Sequence, residues 1–290
     1  MSVEVCVLAS GSAGNCTVVR TPAGVLLVDA GIGPRTVARR LAGADVSAHD
    51  VAGICLTHLD HDHFNRNWLG TILSRGINLF CHGSRVDDLV RVALGPTPSA
   101  QQVGQFIAHV LTFDRDVFEA LPGLTLRPLR FAHDRTGSHG FVLEGFGCRI
   151  GYATDLGRVP LTLSEDFDDL DLLAIESNYD RQMQLDSPRP HFLKQRIMGG
   201  SGHLSNEQAF DAVRTILNNC ESRGRPYPAH IVLLHRSLDC NCPERMRRLF
   251  GRDARIAPRL VLSEQYERTE WLRPRREAPF VGGQLQLAWG

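Results

Sequence analysis

Eight residues, "THLDHDHF" at 57 to 64, hold three histidines and two aspartates. They begin where "VAGICLT", an apolar run that reads as a buried strand, stops. Neutral imidazole and ionised carboxylate are ligands for borderline and hard divalent cations. His58, Asp60, Asp62 and His63 follow the pattern H-x-D-x-D-H. A tight turn after a strand splays 58 and 60 one way and 62 and 63 another, which can feed two metal ions from one loop. The competing reading is a solvated polar loop. Three other strand ends count against it: "RFAHD" carries His133, "GYATD" carries Asp155 and "VLLH" carries His235. Each follows an apolar run and is thereby held at the rim of a sheet.

The rest of the chain supplies strands in two groups. "VEVCVLAS", "CTVVRTP" and "VLLVDAG" are β-branched runs joined by "GSAGN" and "AGV", the pattern of hairpins. Pro34 opens a helix over "RTVARRLAG", which ends in glycine. After the histidine cluster come a helix "RNWLGTILSRG", a strand "INLFCH" and a helix "SRVDDLVRVALG"; residues 95 to 105 show no clear period. The second group is "LTLRPLRFAH", "HGFVLEGF", "CRIGYATD" and "LDLLAIESN", followed by helix "NEQAFDAVRTILNNC", strand "AHIVLLH", helix "PERMRRLF" and strand "RLVLSE". A strand group with helices, given twice, predicts two related sheets packed together with helices outside, an α/β fold of αββα type. No segment is long or polar enough to be a linker, so residues 1–290 read as a single domain.

At this point the sequence resembles the metallo-β-lactamase fold family and, within it, the YycJ/WalJ group of exonucleases, over most of the chain to about Leu249. The family pattern H-x-H-x-D-H falls on His58, Asp60, Asp62 and His63. Its later histidines fall on His133 and His235, and its metal-bridging aspartate falls on Asp155. Further matches are "ASGSAGN" at 9 to 15, "ESNYD" at 176 to 180, "LKQRI" at 193 to 197 and "GHLSNEQA" at 202 to 209. The resemblance implies two divalent metal ions, zinc or manganese. His58, Asp60 and His133 would hold one, Asp62, His63 and His235 the other, with Asp155 bridging. One departure is Asp60, where the usual motif has histidine. An oxygen ligand is harder than imidazole and moves preference toward manganese, magnesium or iron relative to zinc.

The implied activity is hydrolysis of a phosphodiester by a hydroxide that the two metals activate and hold in line. Asp62 and His203 are the residues given catalytic roles. In related phosphodiesterases of this fold, including tRNase Z, a histidine in an H-x-[ST] motif protonates the leaving alkoxide, and His203 of "GHLSN" matches it. The alternative for His203 is a helix cap, although Ser205 is the better cap, with Asn206 and Glu207 in the first turn. His61 reads as solvent-facing. His139 competes with His133 as a ligand, but it directly precedes "GFVLE" and reads as a strand start. His49, His82, His109, His191 and His230 lack ligand partners at motif spacing. Cys240 and Cys242 form a lone C-x-C, read as structural.

Candidate substrate contacts are Ser12 and Asn15 of the small-residue loop, which offer donors to a phosphate, and Asn178 and Ser205 of the later signatures. Lys194 joins them as the only lysine in a chain whose other basic side chains are arginine. A compact ammonium suits a phosphate without the fork geometry of arginine.

Lysine plus arginine and aspartate plus glutamate both total 32, so no global field draws the chain to a polyanion. The arginine groups "RLFGRDAR" and "WLRPRR" favour a polyanion, which the resemblance to exonucleases implies is nucleic acid, DNA first. The neutral balance favours a small substrate instead, such as a cyclic phosphodiester, thioester or lactone. No apolar run approaches the length of a membrane span, and "MSVEVCVLAS" lacks the basic and apolar regions of a secretory signal. Eight cysteines scattered through apolar runs predict reduced thiols in a cytoplasmic protein.

Overall fold

The computed structural model describes residues 2–274. Its first sheet is built from β1 (Glu4–Ala9), β2 (Cys16–Thr21), β3 (Gly24–Val28), β4 (Val51–Cys55), β5 (Asn78–His82) and β6 (Val110–Phe113), in that spatial order. The first three strands are antiparallel hairpins, and β3 to β6 run parallel. The second sheet has the order β13-β12-β11-β10-β9-β8-β7. It comprises β7 (Phe118–Leu121), β8 (Leu124–Phe131), β9 (Ser138–Gly145), β10 (Cys148–Ala153), β11 (Leu172–Glu176), β12 (His230–Leu234) and β13 (Leu260–Leu262). Here too the early strands are antiparallel and the later ones parallel.

Strands β1, β3, β11 and β12 are buried on both faces, and the alternation along them shows why four layers result. On β1, Val5 and Val7 join the core between the sheets, whereas Cys6 and Leu8 join the core on the opposite face. On β3, Leu26 and Val28 point inward while Val25 and Leu27 point outward. Each fully buried aliphatic side chain contributes roughly 1.5–3 kcal/mol by transfer from water, so both outer faces require helical cover. On the first sheet it comes from α1 (Pro34–Arg40), α2 (Leu69–Arg75), α3 (Val86–Leu94) and α4 (Ala100–Ile107), which contribute Val37, Ile72, Leu89 and Phe106. On the second it comes from α5 (Leu163–Asp166), α8 (Asn206–Ser222) and α9 (Pro243–Phe250), which contribute Leu163, Ile216 and Phe250. The short helices α6 (Arg181–Asp186) and α7 (His191–Met198) lie between β11 and α8 in the chain. This is the expected αββα arrangement.

Several elements go beyond the sequence reading. Residues 95 to 105 contain most of α4, which starts with a reciprocal capping box between Ser99 and Gln102. The strands β6 and β7 are only four residues each, too short to show a period. The segment "LKQRI" lies within α7. The helix over "NEQAFDAVRTILNNC" begins as expected at Ser205, whose side chain accepts from the Gln208 amide while Gln208 returns to the Ser205 amide.

None of the eight cysteines is joined in a disulfide. Among the described residues no helix is long and apolar enough to cross a membrane.

Candidate metal centre

Strand direction explains why distant residues meet. β8 and β10 both run antiparallel to β9, and β10, β11 and β12 are parallel. Their C-terminal ends therefore share one edge of the second sheet, and just beyond them come His133, Asp155 and His235, with Glu176 as the last residue of β11. Asp155 and His235 have φ of 53° and 54°. Positive φ is uncommon away from glycine, though aspartate and histidine adopt it more readily than most residues; here it turns the chain off the strand at two buried side chains. The loop after β4 reaches the same place from the first sheet. It is held by bonds from Asn15 N–H to the Asp62 carbonyl (2.7 Å), from Ala30 N–H to the His63 carbonyl (2.9 Å) and from His63 N–H to the Asp60 carbonyl (2.8 Å). Gly31 lies beneath it, where a Cβ would sit 1.8 Å from the Asp62 carbonyl oxygen. Only glycine permits that approach.

Five imidazoles form a closed ring. Successive centroids are 5.2 Å apart from His58 to His133, 5.2 Å from His133 to His203, 5.0 Å from His203 to His235, 5.9 Å from His235 to His63 and 4.0 Å from His63 to His58. The Asp155 carboxylate stands among them. It lies 3.1 Å from His63 Nε2, 3.7 Å from His133 Nε2, 3.3 Å from His235 Nδ1 and 3.6 Å from His203 Nδ1. Asp62 Oδ2 is 3.4 Å from His235 Nε2 and 3.6 Å from His63 Nε2. Asp60, half exposed, has its Oδ2 3.8 Å from His58 Nε2. Donor atoms within 4.8 Å of one another comprise His58, Asp60 and His133; Asp62, His63 and His235; His58, His63 and Asp155; and Asp155, Glu176, His203 and His235.

The other ring nitrogens are already engaged. His63 Nδ1 meets Asp29 Oδ2 at 2.7 Å, His58 Nδ1 meets Thr57 Oγ1 at 3.0 Å, and His133 Nδ1 meets the Gly202 carbonyl at 2.9 Å. His235 Nδ1 lies 3.0 Å from Glu176 Oε1. Such outer contacts fix the orientation of histidines that bind metal through Nε2. His235 Nε2 is buried and makes no hydrogen bond, which is unfavourable unless something else uses its lone pair or proton. The donor set therefore fits divalent cations.

The electrostatics agree. Burial opposes a charge on His235, yet Asp155, Asp62 and Glu176 push it up to about 10. His63 is raised for the same reason, by Asp29 and Asp155 against burial. Burial opposes ionisation of Asp62, yet His235 and His63 hold it down at about 2. His58, buried and facing His63, is held well below the usual range. These carboxylates thus favour positive charge in their midst, of the kind a divalent ion would supply.

Beside this cluster opens a cavity of about 300 Å³, lined on one side by Asp60, Asp62, His133, Asp155, His203 and His235. Its other wall includes Arg189, Leu193, Arg196 and Ile197, from α7 and the segment before it, with Ser12, Asn178 and Ser237. Helix α7 is seated tightly, because a Cβ on Gly202 would meet the Ile197 carbonyl at 2.3 Å. His203 directly follows that glycine, and its Nδ1 is 2.7 Å from Glu176 Oε1. Burial opposes ionisation of Glu176, but His203 and His235 keep it below the usual carboxylate range.

The expected substrate contacts divide. Ser12 and Asn178 line the cavity, although Asn178 Nδ2 also donates to the His235 carbonyl at 2.7 Å and so braces that residue. The buried Asn15 uses its amide on the Asp62 carbonyl and carboxylate and on Gly11; it shapes the ligand loop instead of facing substrate. Ser205 is committed to its cap. The ammonium of Lys194 donates to the Leu185 carbonyl at 2.6 Å, and this side chain does not line the cavity. Arg189 and Arg196 occupy the place expected for it. His61 is exposed, with 89% of its side chain in solvent. His139 is in β9, stacked on His82 with centroids 4.7 Å apart, outside the ligand groups. Cys240 and Cys242 also lie outside them.

Asp29 and Glu176 were not singled out in the sequence. Both end an apolar run, in "VLLVD" and "LLAIE", which is the same signal that marks Asp155. Of the two arginine groups, Arg255 is tied to Asp253 and Glu221, and Arg273 to Glu4. The remaining arginines of "WLRPRR", Arg275 and Arg276, lie outside the described residues.

Residues 25–231 match the family model described as the beta-lactamase superfamily domain. Exodeoxyribonuclease YycJ of Bacillus anthracis is 28% identical over 248 residues, covering 85% of this chain and 87% of that protein. Exodeoxyribonuclease WalJ of Streptococcus pneumoniae is 25% identical over 219 residues, covering 73% and 76%. Among solved structures, the metallo-β-lactamase fold protein YhfI from Bacillus subtilis superposes with a TM-score of 0.65 at 13% identity, covering 93% of this chain and all of that one.

Proposed function

The chain belongs to the beta-lactamase superfamily domain family and is a hydrolase of the metallo-β-lactamase fold, and from that premise we propose that it is a metal-dependent phosphodiesterase acting on nucleic acid, DNA in particular. The observation that carries this reading is the Glu176–His203 pair. Glu176 accepts at His203 Nδ1, so the other ring nitrogen, Nε2, is left to hold or release a proton in the cavity beside Asp155. An alkoxide leaving group requires such a proton; general acid catalysis typically contributes about 10²–10⁴-fold.

His58, Asp60 and His133 would hold one divalent ion, Asp62, His63 and His235 a second, with Asp155 between them; zinc and manganese are the ions to test. Bound there, the pair would supply a water of lowered pKa and positive charge against the phosphoryl oxygens. Asn178 braces the turn that carries His235. Asn15, Asp29 and Thr57 fix the loop that carries His58, Asp62 and His63. Arg189 and Arg196 line the same cavity, each already paired with a carboxylate, Asp239 and Asp134 respectively. Two relatives named as exodeoxyribonucleases support DNA as the polymer, and eight reduced cysteines suit a cytoplasmic location.

The test is to strip the protein of metal and offer labelled single- and double-stranded DNA, RNA and a small phosphodiester, adding manganese or zinc in turn. Metal-dependent degradation of DNA is expected. Hydrolysis confined to the small diester would refute the polynucleotide reading while leaving the phosphodiesterase chemistry standing.

A further inference from the structure

A second concavity adjoins the metal-side cavity at His133. His133 and Asp134 also form part of the lining of this more open trough of about 360 Å³, shared with Arg130, Arg135, Thr136 and Arg158. The three arginines come from the end of β8, the loop after it and the loop after β10, so two separate chain segments converge there. Among the described residues no hydrogen bond or ion pair engages any of the three side chains. The carboxylate lining the trough is Asp134, and it is already neutralised: Arg196 Nε lies 3.0 Å from its Oδ1 and a second guanidinium nitrogen bonds its Oδ2. The trough therefore presents about three uncompensated positive charges on a protein whose formal charge is zero.

We propose that this trough holds the sugar–phosphate backbone of the polynucleotide as it runs past His133, with Arg130, Arg135 and Arg158 each meeting a phosphate. The inference rests on the phosphodiesterase reading above and says where the polymer outside the scissile bond lies. An open trough that shares His133 and Asp134 with the cavity suits a repeating polyanion better than a single small anion, which a closed pocket would enclose. Guanidinium is also the head group that matches phosphate oxygens in bidentate geometry. Phosphate contacts of this kind position a strand without reading its sequence. The trough should therefore raise affinity for any strand that fits it, and do so in a salt-dependent way.

The experiment is steady-state kinetics of the manganese-loaded enzyme on a labelled single-stranded DNA oligonucleotide and on bis(p-nitrophenyl) phosphate, over a range of salt. The variants are the triple change Arg130→Gln/Arg135→Gln/Arg158→Gln and the same three positions changed to lysine. For the glutamine variant, kcat/KM on the oligonucleotide should fall about tenfold or more, mostly through KM. Its log–log salt slope should become shallower by about 2, the value for three lost single-strand phosphate contacts at about 0.7 each. The rate on the small diester should stay unchanged, and the lysine variant should keep the wild-type salt slope. If wild type cuts the oligonucleotide and the glutamine variant cuts it with the same KM and slope, the trough is overturned while the polynucleotide reading stands. If wild type hydrolyses only the small diester, that reading fails and the trough fails with it.

Discussion

Glu176 Oε1 lies 2.7 Å from His203 Nδ1, and the same oxygen lies 3.0 Å from His235 Nδ1. One buried carboxylate thus orients two histidines with different surroundings. His235 is buried, and its Nε2 faces Asp62. His203 keeps 21% of its side chain accessible and borders the open cavity. The proposed roles, His235 as ligand and His203 toward substrate, rest on this difference, and experiment can separate them.

If His203 protonates the leaving group, His203→Ala should leave metal content unchanged and lower kcat by about 10²–10⁴-fold on an alkoxide-releasing phosphodiester. A substrate that releases p-nitrophenolate needs little protonation, so on it the same variant should lose much less. Equal losses on both substrates would indicate a positioning role, and loss of metal would make His203 a ligand.

Glu176→Gln keeps a similar shape but removes the charge. Both histidines then lose the partner that sets their tautomer, and outer contacts of this kind typically account for about 10–100-fold in activity or metal affinity. The expected result is a lower kcat with KM nearly unchanged, together with weaker binding of one metal ion in a chelator competition. A change in KM alone would contradict the positioning role of Glu176.

Metal analysis of the purified protein should find close to two ions per chain. His58→Ala and His235→Ala should each empty at least one site, since they stand in different donor groups. Full occupancy in both variants would remove the ligand assignment. Asp60→His refines the same point: exchanging an oxygen donor for imidazole should raise the preference for zinc over manganese, read as the ratio of activities with the two metals. An unchanged ratio would exclude Asp60 from direct coordination.

How far the sequence alone carried this picture depended on the kind of signal. The clustered histidines and aspartates were legible because they stand at or just after the points where apolar strands stop, and strand ends are where an α/β sheet gathers functional groups. The layer order was legible because strands apolar on both faces need helices on both sides. Helices α5 to α7 were not: α5 and α6 are only four and six residues long, and α7 has no buried face. Lys194 stood out through its rarity, but being the only lysine says nothing about direction, and its ammonium donates to the Leu185 carbonyl. The basic trough was hidden for a different reason. Arg130, Arg135 and Arg158 are dispersed in a sequence of balanced charge, and only the turn after β8 and the turn after β10 bring them together.

The remaining prediction concerns His139, which the structure separates from the ligand cluster. It is 9% exposed, stacked on His82 and T-shaped to Phe113. Burial and repulsion from His82 bring its pKa down from 6.5 to about 4. A histidine depressed in the folded state is protonated more readily in the unfolded chain. Its contribution to stability is therefore complete above pH 6.5 and is lost as pH falls from there toward 4. Between pH 7 and pH 5 that loss is about 2 kcal/mol, since a one-unit difference is about 1.4 kcal/mol. His139→Gln removes the titration, so the variant should lose about 2 kcal/mol less stability than wild type over this interval, whatever its stability at pH 7. Urea unfolding of both proteins, metal-free and at the two pH values, gives the comparison. Taking the difference between the two proteins cancels the titration of the ring histidines, which both retain. Parallel losses would mean that His139 accepts a proton in the folded protein at pH 5, and that its stack with His82 tolerates the charge.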